Sequence, residues 1–365
     1  MKALARTKTL FRKFEIRSSD EGDTTMKAVR LYAAGDLRFE EVDAPGSPKP
    51  GWVRIKTTAA GICGSDLHNY RTGQWISRTP STAGHELTGV VLEVGEGAQG
   101  FANGDHVVAD SRFWCGECFS CRAGRQHLCA ALGFVGEICD GGFAEEIVLP
   151  ARLVHKVDST IDPSIAAMSE PFAVAMHAVR RLSPQPGSAV LVAGCGPIGG
   201  LVAMVLSRGH DGPVLVTDRN ADRAELVARV TGATVVNLDE DSIEFAAGGA
   251  PLLAAVDATG NTAVLAQLLD LVGGGGAIAL VGIFHSNMDI DPNLFVEREI
   301  SLVGCHAFSD ELPAAIGLLA EYADDFRQLI DSEIGLRDVP AAYDRLITGR
   351  AKGLKTIIRM GGSPQ

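Results

Sequence analysis

Basic residues are scarce in this sequence. With 33 Lys and Arg against 45 Asp and Glu, the formal net charge is −12, which argues against a nucleic-acid partner, because binding phosphates needs a clustered excess of cations. Cysteine is scarce too. Eight in 365 residues cannot form a disulfide scaffold, and half of them fall between Cys115 and Cys129, a clustering that points to metal. Long hydrophobic runs are missing as well. The stretch Ala189 to Leu206 holds no Asp, Glu or Lys, but Gly194, Gly196, Pro197, Gly199 and Gly200 break it in the middle, so a buried strand, turn and helix are expected there and no membrane span. The N-terminus lacks an apolar core followed by a small-residue cleavage site, which fits a cytoplasmic protein. Residues 1–25 carry Lys2, Arg6, Lys8, Arg12, Lys13 and Arg17 without apolar alternation. They read as a disordered extension, with an organellar transit peptide as the other reading.

What is present suits a soluble chain of two domains. Apolar residues make up 46% and charged residues 21%, enough to bury a core in each domain-sized segment. From Met26 to about Leu149, short β-like runs are divided by Gly and Pro: Met26–Tyr32, Trp52–Ala60, Thr88–Val94, His106–Ala109 and Ala144–Leu149. They predict an antiparallel β-rich unit. Near Ile165 the pattern turns helical, and from Ser188 strands and helices alternate: Ala189–Ala193, a helix from Pro197, Pro213–Thr217, a helix from Ala221, Leu252–Asp257, a helix from Thr262, then Ala277–Val281. Such alternation predicts an α/β unit with a doubly wound parallel sheet. The expected division is 26–172 for the first domain, 173–309 for the second, and 310–365 as a return to the first.

Three constellations carry chemistry. Cys115, Cys118, Cys121 and Cys129 stand in one loop. Four thiolates at this spacing can close a tetrahedral shell around a structural Zn²⁺; an iron–sulfur cluster is the other reading. A second set is dispersed: Cys63 in Gly61-Ile-Cys-Gly-Ser-Asp-Leu-His68, then Gly84-His85-Glu86, then Ser169-Glu170-Pro171. A thiolate, an imidazole and a carboxylate supply the three protein ligands of an open, catalytic zinc. Taken singly, Cys63 also reads as a small buried hydrophobe, His85 as a core or surface histidine, and Glu170 as a helix-end charge.

The third is the Gly194-Cys-Gly196-Pro197-Ile198-Gly199 turn, which follows an apolar strand and opens a helix. Its glycines allow a tight turn and close approach of a pyrophosphate to the helix N-terminus. Asp218, at the end of the next strand, is placed to accept both adenosine ribose hydroxyls and repel a 2′-phosphate, which favours NAD over NADP. Arg219 and Arg223 are either solvated helix-start cations or groups that reach a phosphate. Thr259, Val281 and Ile283 follow later strands at the edge where such a sheet holds its ligand.

These motifs, in this order, resemble the zinc-containing medium-chain dehydrogenase/reductase (alcohol dehydrogenase) family over essentially Met26 to Met360. The resemblance implies a GroES-like catalytic domain beside a Rossmann NAD-binding domain, two Zn²⁺ per chain, and a homo-oligomer, tetramer or dimer. It makes Cys63, His85 and Glu170 zinc ligands, with Glu86 able to exchange onto the metal. Glutamate at position 170 favours the polyol branch, and the segments around Cys63 and Glu170 look most similar to L-idonate 5-dehydrogenases, with sorbitol and threonine dehydrogenases as close relatives. One departure stands out: where the idonate and sorbitol enzymes usually carry an arginine, this sequence has His306 and Ala307.

The chemistry this implies is Lewis-acid activation of a secondary alcohol with hydride passing to nicotinamide. Ser65 and His68, which follow Cys63 closely, are the candidates to relay the proton; the blander readings are a turn hydroxyl and a surface histidine. Asp66 reads as a first-turn helix charge. The substrate is a small alcohol, polyol or sugar acid. A threonine or short-diol dehydrogenase is the nearest alternative, and an NAD sensor with only a structural zinc is the non-enzymatic one.

Overall fold

The computed structural model describes residues 25–361, so the expectation for the N-terminal extension falls outside the described residues, Thr25 excepted. Alternating apolar residues in Trp52–Gly61 give that strand the centre of a seven-stranded sheet. On one side lie Glu86–Val94, His106–Ala109 and Val154–Lys156; on the other Lys355–Arg359 and Ile330–Ile334; Glu146–Pro150 also pairs with the central strand. All its pairings are antiparallel except that of Ile330–Ile334 with Lys355–Arg359. A small sheet of Asp36–Asp43, Thr25–Ala33 and Ser81–Thr82 lies beside it. The register matters for function: Gly61 faces Glu86 on one neighbour and Ile357 on the other. Three chain segments therefore end at one point.

The second sheet is six-stranded and fully parallel, in the order Thr234–Val235, Val214–Thr217, Ala189–Ala193, Leu252–Asp257, Ala277–Leu280, Ser301–Gly304. Helices Pro197–Gly209 and Ala221–Thr231 cover it on one side and Thr262–Leu271 on the other. Strands buried on both faces explain why Ala189–Ala193 carries no polar side chain. Asn220 caps the helix Ala221–Thr231 by accepting from Arg223 N, and Gly232, in the left-handed region, ends it. The order reverses between Ala189–Ala193 and Leu252–Asp257, the place where such sheets bind ligands beyond their carboxyl ends.

The helical stretch near Ile165 is two helices, Pro163–Ala166 and Ser169–Leu182. In the longer one Phe172, Ala175, Ala178 and Leu182 are buried at helical spacing against the second domain's core, while Glu170 sits in its first turn. The return to the first sheet comes later than residue 310. Leu312, Ala315, Leu319 and Phe326 pack in the core that holds Val190, Val202 and Val216, because the apolar face of this helical segment matches the helix Ser169–Leu182. The crossing back is made by Ile330–Ile334. Among the described residues no helix is long and apolar enough to cross a membrane.

Candidate metal and dinucleotide site

Cys63 ends the turn after the central strand and caps the helix Gly64–Thr72. His85 precedes, and Glu86 begins, the adjacent strand Glu86–Val94. The sheet register brings Cys63 Sγ, a His85 ring nitrogen and a Glu86 carboxylate oxygen within 4.8 Å of one another. Glu86 is fully buried. Its Oε2 forms an ion pair with Lys355 Nζ, and its Oε1 has no hydrogen-bond partner among the described residues. A buried carboxylate oxygen left unpaired beside a thiol and an imidazole fits a divalent metal. Gly61 makes this possible, since a Cβ there would overlap Glu86 Oε2.

Glu170 lies outside that set of three. Its Oε1 accepts a 2.6 Å hydrogen bond from Ser111 Oγ, and burial pushes its carboxyl up to about 7, against the opposing charge of His85. The carboxylate grouped with Cys63 and His85 is thus Glu86, while Glu170, which lines the same cavity, is engaged by Ser111.

Asp66 has a larger part than a first-turn charge. Its Oδ2 accepts from Cys63 N at 2.9 Å, and its Oδ1 lies 3.6 Å from His85 Nδ1. His85 Nε2 faces the other way, 3.5 Å from Ser65 Oγ. Burial works against a charged His85 ring, but the charges of Asp66, Cys63 and Glu170 outweigh it and raise its pKa well above the usual imidazole value. For Lys355, burial is likewise outweighed, chiefly by Glu86, and the pKa is raised. Sequence reasoning did not single out Lys355. The available signal was a lysine heading the apolar run Lys355-Thr-Ile-Ile.

His68 is buried. Its Nε2 lies 2.9 Å from Gln74 Oε1 and 3.3 Å from Thr72 Oγ1, and its Nδ1 has no hydrogen-bond partner among the described residues. The ring stacks on His285 at 4.9 Å and tilts against Trp75 at 4.3 Å.

These residues share one cavity of about 860 Å³ with the turn that opens the parallel-sheet domain. Cys63, Ser65, His68, His85, Glu86 and Glu170 line it, and so do Gly196, Pro197, Ile198, Thr259, Val281 and Ile283 from the parallel-sheet unit. Gly194 and Gly199 pack together, and a Cβ on Gly199 would overlap Gly194 O. Gly196 is different: a Cβ there would meet nothing within 4 Å. Internal packing does not require this glycine, whereas a ligand approaching the N-terminus of helix Pro197–Gly209 would. Thr259 is fixed by buried Asp257, whose Oδ1 accepts from Thr259 N at 2.7 Å and Gly260 N at 2.9 Å. Asp218 accepts from Cys195 N at 2.6 Å and Asn220 N at 2.7 Å, which aims its carboxylate at the glycine turn. Arg219 is exposed, and the Nε of Arg223 is buried without a hydrogen-bond partner.

The four sulfurs of Cys115, Cys118, Cys121 and Cys129 lie within 4.8 Å of one another, with Cys115 and Cys129 at 3.5 Å and Cys115 and Cys121 at 3.9 Å. A tetrahedral shell with Zn–S near 2.3 Å requires sulfurs about 3.8 Å apart. Backbone N–H groups of Cys115 and Ala131 donate to Cys129 Sγ, and that of Cys118 donates to Cys115 Sγ. Backbone N–H groups of Ala130 and Cys121 draw the Cys118 thiol down to about 6. The chemistry and spacing suit zinc held as a closed structural site.

Residues 49–159 match the alcohol dehydrogenase GroES-like domain, and residues 197–321 match the zinc-binding dehydrogenase domain. The chain is 32% identical over 340 residues to 2-dehydro-3-deoxy-L-galactonate 5-dehydrogenase of Pseudoalteromonas atlantica, covering 90% of this chain and 98% of that one. It is 31% identical to L-threonine 3-dehydrogenase of Deinococcus deserti, over 85% and 92% of the two chains. Among solved structures, an alcohol dehydrogenase from Escherichia coli CFT073 complexed with NADH matches with a TM-score of 0.84 at 28% identity, over 92% and 99% of the chains. A Sinorhizobium meliloti protein described as a zinc-binding dehydrogenase, bound to NADP, matches with a TM-score of 0.85 at 29% identity, over 92% and 100%.

Proposed function

Because the chain belongs to the zinc-binding dehydrogenases with a GroES-like alcohol dehydrogenase domain, we propose that it moves a hydride from a secondary alcohol of a polyol or sugar acid to NAD, in the manner of L-idonate 5-dehydrogenases. The observation that carries this is the convergence of Cys63, His85 and the unpaired Glu86 Oε1 in a cavity that the Gly196 turn also lines.

Zinc, when bound, supplies Lewis-acid polarisation of the alcohol, and the nicotinamide supplies the hydride acceptor. Cys63, His85 and Glu86 hold the catalytic ion, with Glu170 as a second buried carboxylate beside them; Cys115, Cys118, Cys121 and Cys129 hold a second, structural ion. Asp66 fixes the His85 ring so that Nε2 points into the cavity. Lys355 pairs with one Glu86 oxygen and leaves the other free. Ser65, next to His85 Nε2, and His68, with a free Nδ1, carry the alcohol proton toward solvent. On the cofactor side, Gly194, Gly196 and Gly199 shape the turn for the pyrophosphate. Asp218 receives the ribose hydroxyls, and its charge opposes a 2′-phosphate, which selects NAD. Thr259, Val281 and Ile283 position the nicotinamide half. The active form is a cytoplasmic homo-oligomer.

Oxidation of L-threonine or a short diol is the second reading, favoured by His306 and Ala307, which line the cavity where the idonate and sorbitol enzymes usually carry an arginine. The test is cofactor reduction by L-idonate, D-gluconate, sorbitol, galactitol, L-threonine, 2,3-butanediol and ethanol, each with NAD and with NADP. NAD-dependent turnover of a polyol or sugar acid is expected. Threonine as the best substrate moves the assignment to the second reading, and no turnover after zinc is resupplied leaves only an NAD sensor.

A further inference from the structure

One acidic side chain in the cavity has no part in the account so far. Glu137 lines it together with Cys63, His85 and Glu86, and the structure shows no hydrogen bond or ion pair for its carboxylate among the described residues. The turn that carries it is pinned. Glu137 N and Ile138 N donate to Phe134 O at 3.1 Å each, and Gly136 N donates to Cys139 O at 3.0 Å. Ser77 Oγ donates to Glu137 O, and Thr82 N donates to Asp140 Oδ1 at 2.9 Å. The turn also presses on the metal-ligand segment: a Cβ on Gly136 would lie 3.0 Å from Gly84 N, and one on Gly141 would overlap Gly84 O. Glu137 is therefore held at a fixed place beside the segment that presents His85 and Glu86.

Two cationic side chains, Lys355 and Arg71, line the same cavity. The Lys355 ammonium is taken by Glu86, the His306 ring is engaged with His127 O at 3.3 Å, and Arg71, at the cavity rim, is exposed. A second carboxylate brought beside this unpartnered acidic side chain meets a like charge. A hydroxyl suits it in either state, donating to the carboxylate or accepting from the acid.

We propose that Glu137 is a specificity-determining residue that binds a hydroxyl of a neutral polyol and rejects sugar acids. This rests on the dehydrogenase reading above and narrows its substrate class to neutral polyols, setting aside its sugar-acid, L-idonate-like part.

Sorbitol and D-gluconate test it, since they share a carbon chain and differ in carrying a hydroxymethyl or a carboxylate at one end. In mildly alkaline buffer the wild-type protein is expected to favour sorbitol by at least about tenfold in kcat/KM, and E137Q to shrink that ratio by about tenfold through KM. E137D, which keeps the charge, should retain most of the preference. Quenching of Trp75, which lines the same cavity, reads binding of both ligands to the NADH-loaded protein without turnover. A wild type that prefers gluconate, or an E137Q ratio and quench unchanged from wild type, would overturn the proposal. Preferential sorbitol binding, lost in E137Q, in a protein that oxidises neither compound would support it while sinking the dehydrogenase reading.

Discussion

Asp66 Oδ1 lies 3.6 Å from His85 Nδ1, and both side chains are buried. The same carboxylate accepts from Cys63 N through its other oxygen. One residue thus sets the orientation of two of the three groups proposed to hold the catalytic ion. Asp66→Asn should weaken metal binding at this site by about 10- to 100-fold while leaving the four-cysteine site filled. Zinc titration against a chelator of known affinity measures this, and two sites of unchanged affinity would refute it.

The pair formed by Glu86 and Lys355 is buried on both sides. Removing one partner leaves an uncompensated charge, so Lys355→Met should destabilise the protein by about 3 kcal/mol, whereas Glu86→Gln combined with Lys355→Met should cost clearly less. Urea unfolding of the two variants and the wild type decides this. Equal losses in both would show that the pair is not the source.

Glu311 gives a pH signature away from the metal sites. Burial raises its pKa, but hydrogen bonds from His177 and from Ser309 N outweigh that and hold the carboxyl down at about 2. Its ordinary value is 4.5. A depressed folded-state pKa means the unfolded chain binds the proton more readily, so the stabilisation is present above about 4.5 and lost as pH falls toward about 2. The stability difference between wild type and Glu311→Gln should therefore shrink across that window, as read by denaturant midpoints. A difference independent of pH would contradict the assignment.

Asp218 is expected to set cofactor choice. Asp218→Ala should lower kcat/KM for NAD at least about tenfold and lower that for NADP less, because the ribose acceptor and the repulsion of a 2′-phosphate disappear together. Equal losses with both cofactors would mean that the carboxylate only braces the turn through Cys195 N and Asn220 N.

Much of this was legible in the sequence, for definite physical reasons. The strand Ala189–Ala193, its glycine turn and the helix from Pro197 follow from apolar burial and turn chemistry over a few adjacent residues, and the structure has them at those positions. The four cysteines are likewise local. The strands Asp36–Asp43, Ser301–Gly304 and Ile330–Ile334 were not legible, because all three are edge strands, two with mixed exposure and the third half-buried along its length, so none shows clean alternation. In the dispersed site, Cys63 and His85 could be named from their motifs. The grouping of Glu86 ahead of Glu170 could not, since it depends on the register of Gly61 with Glu86 and on Ser111 engaging Glu170. Asp66 reaches His85, and Lys355 reaches Glu86, across the sequence, which no spacing rule exposes.

The central claim is that Cys63, His85 and Glu86 hold an ion essential for turnover, separate from the four-cysteine ion. The most direct test is zinc content per chain and NAD reduction in the wild type and in Cys63→Ser, with folding checked by thermal unfolding. Two zincs with turnover in the wild type, and one zinc without turnover in a folded Cys63→Ser, is the predicted result. Turnover undiminished in Cys63→Ser, or a wild type that turns over with only the four-cysteine zinc, would contradict it.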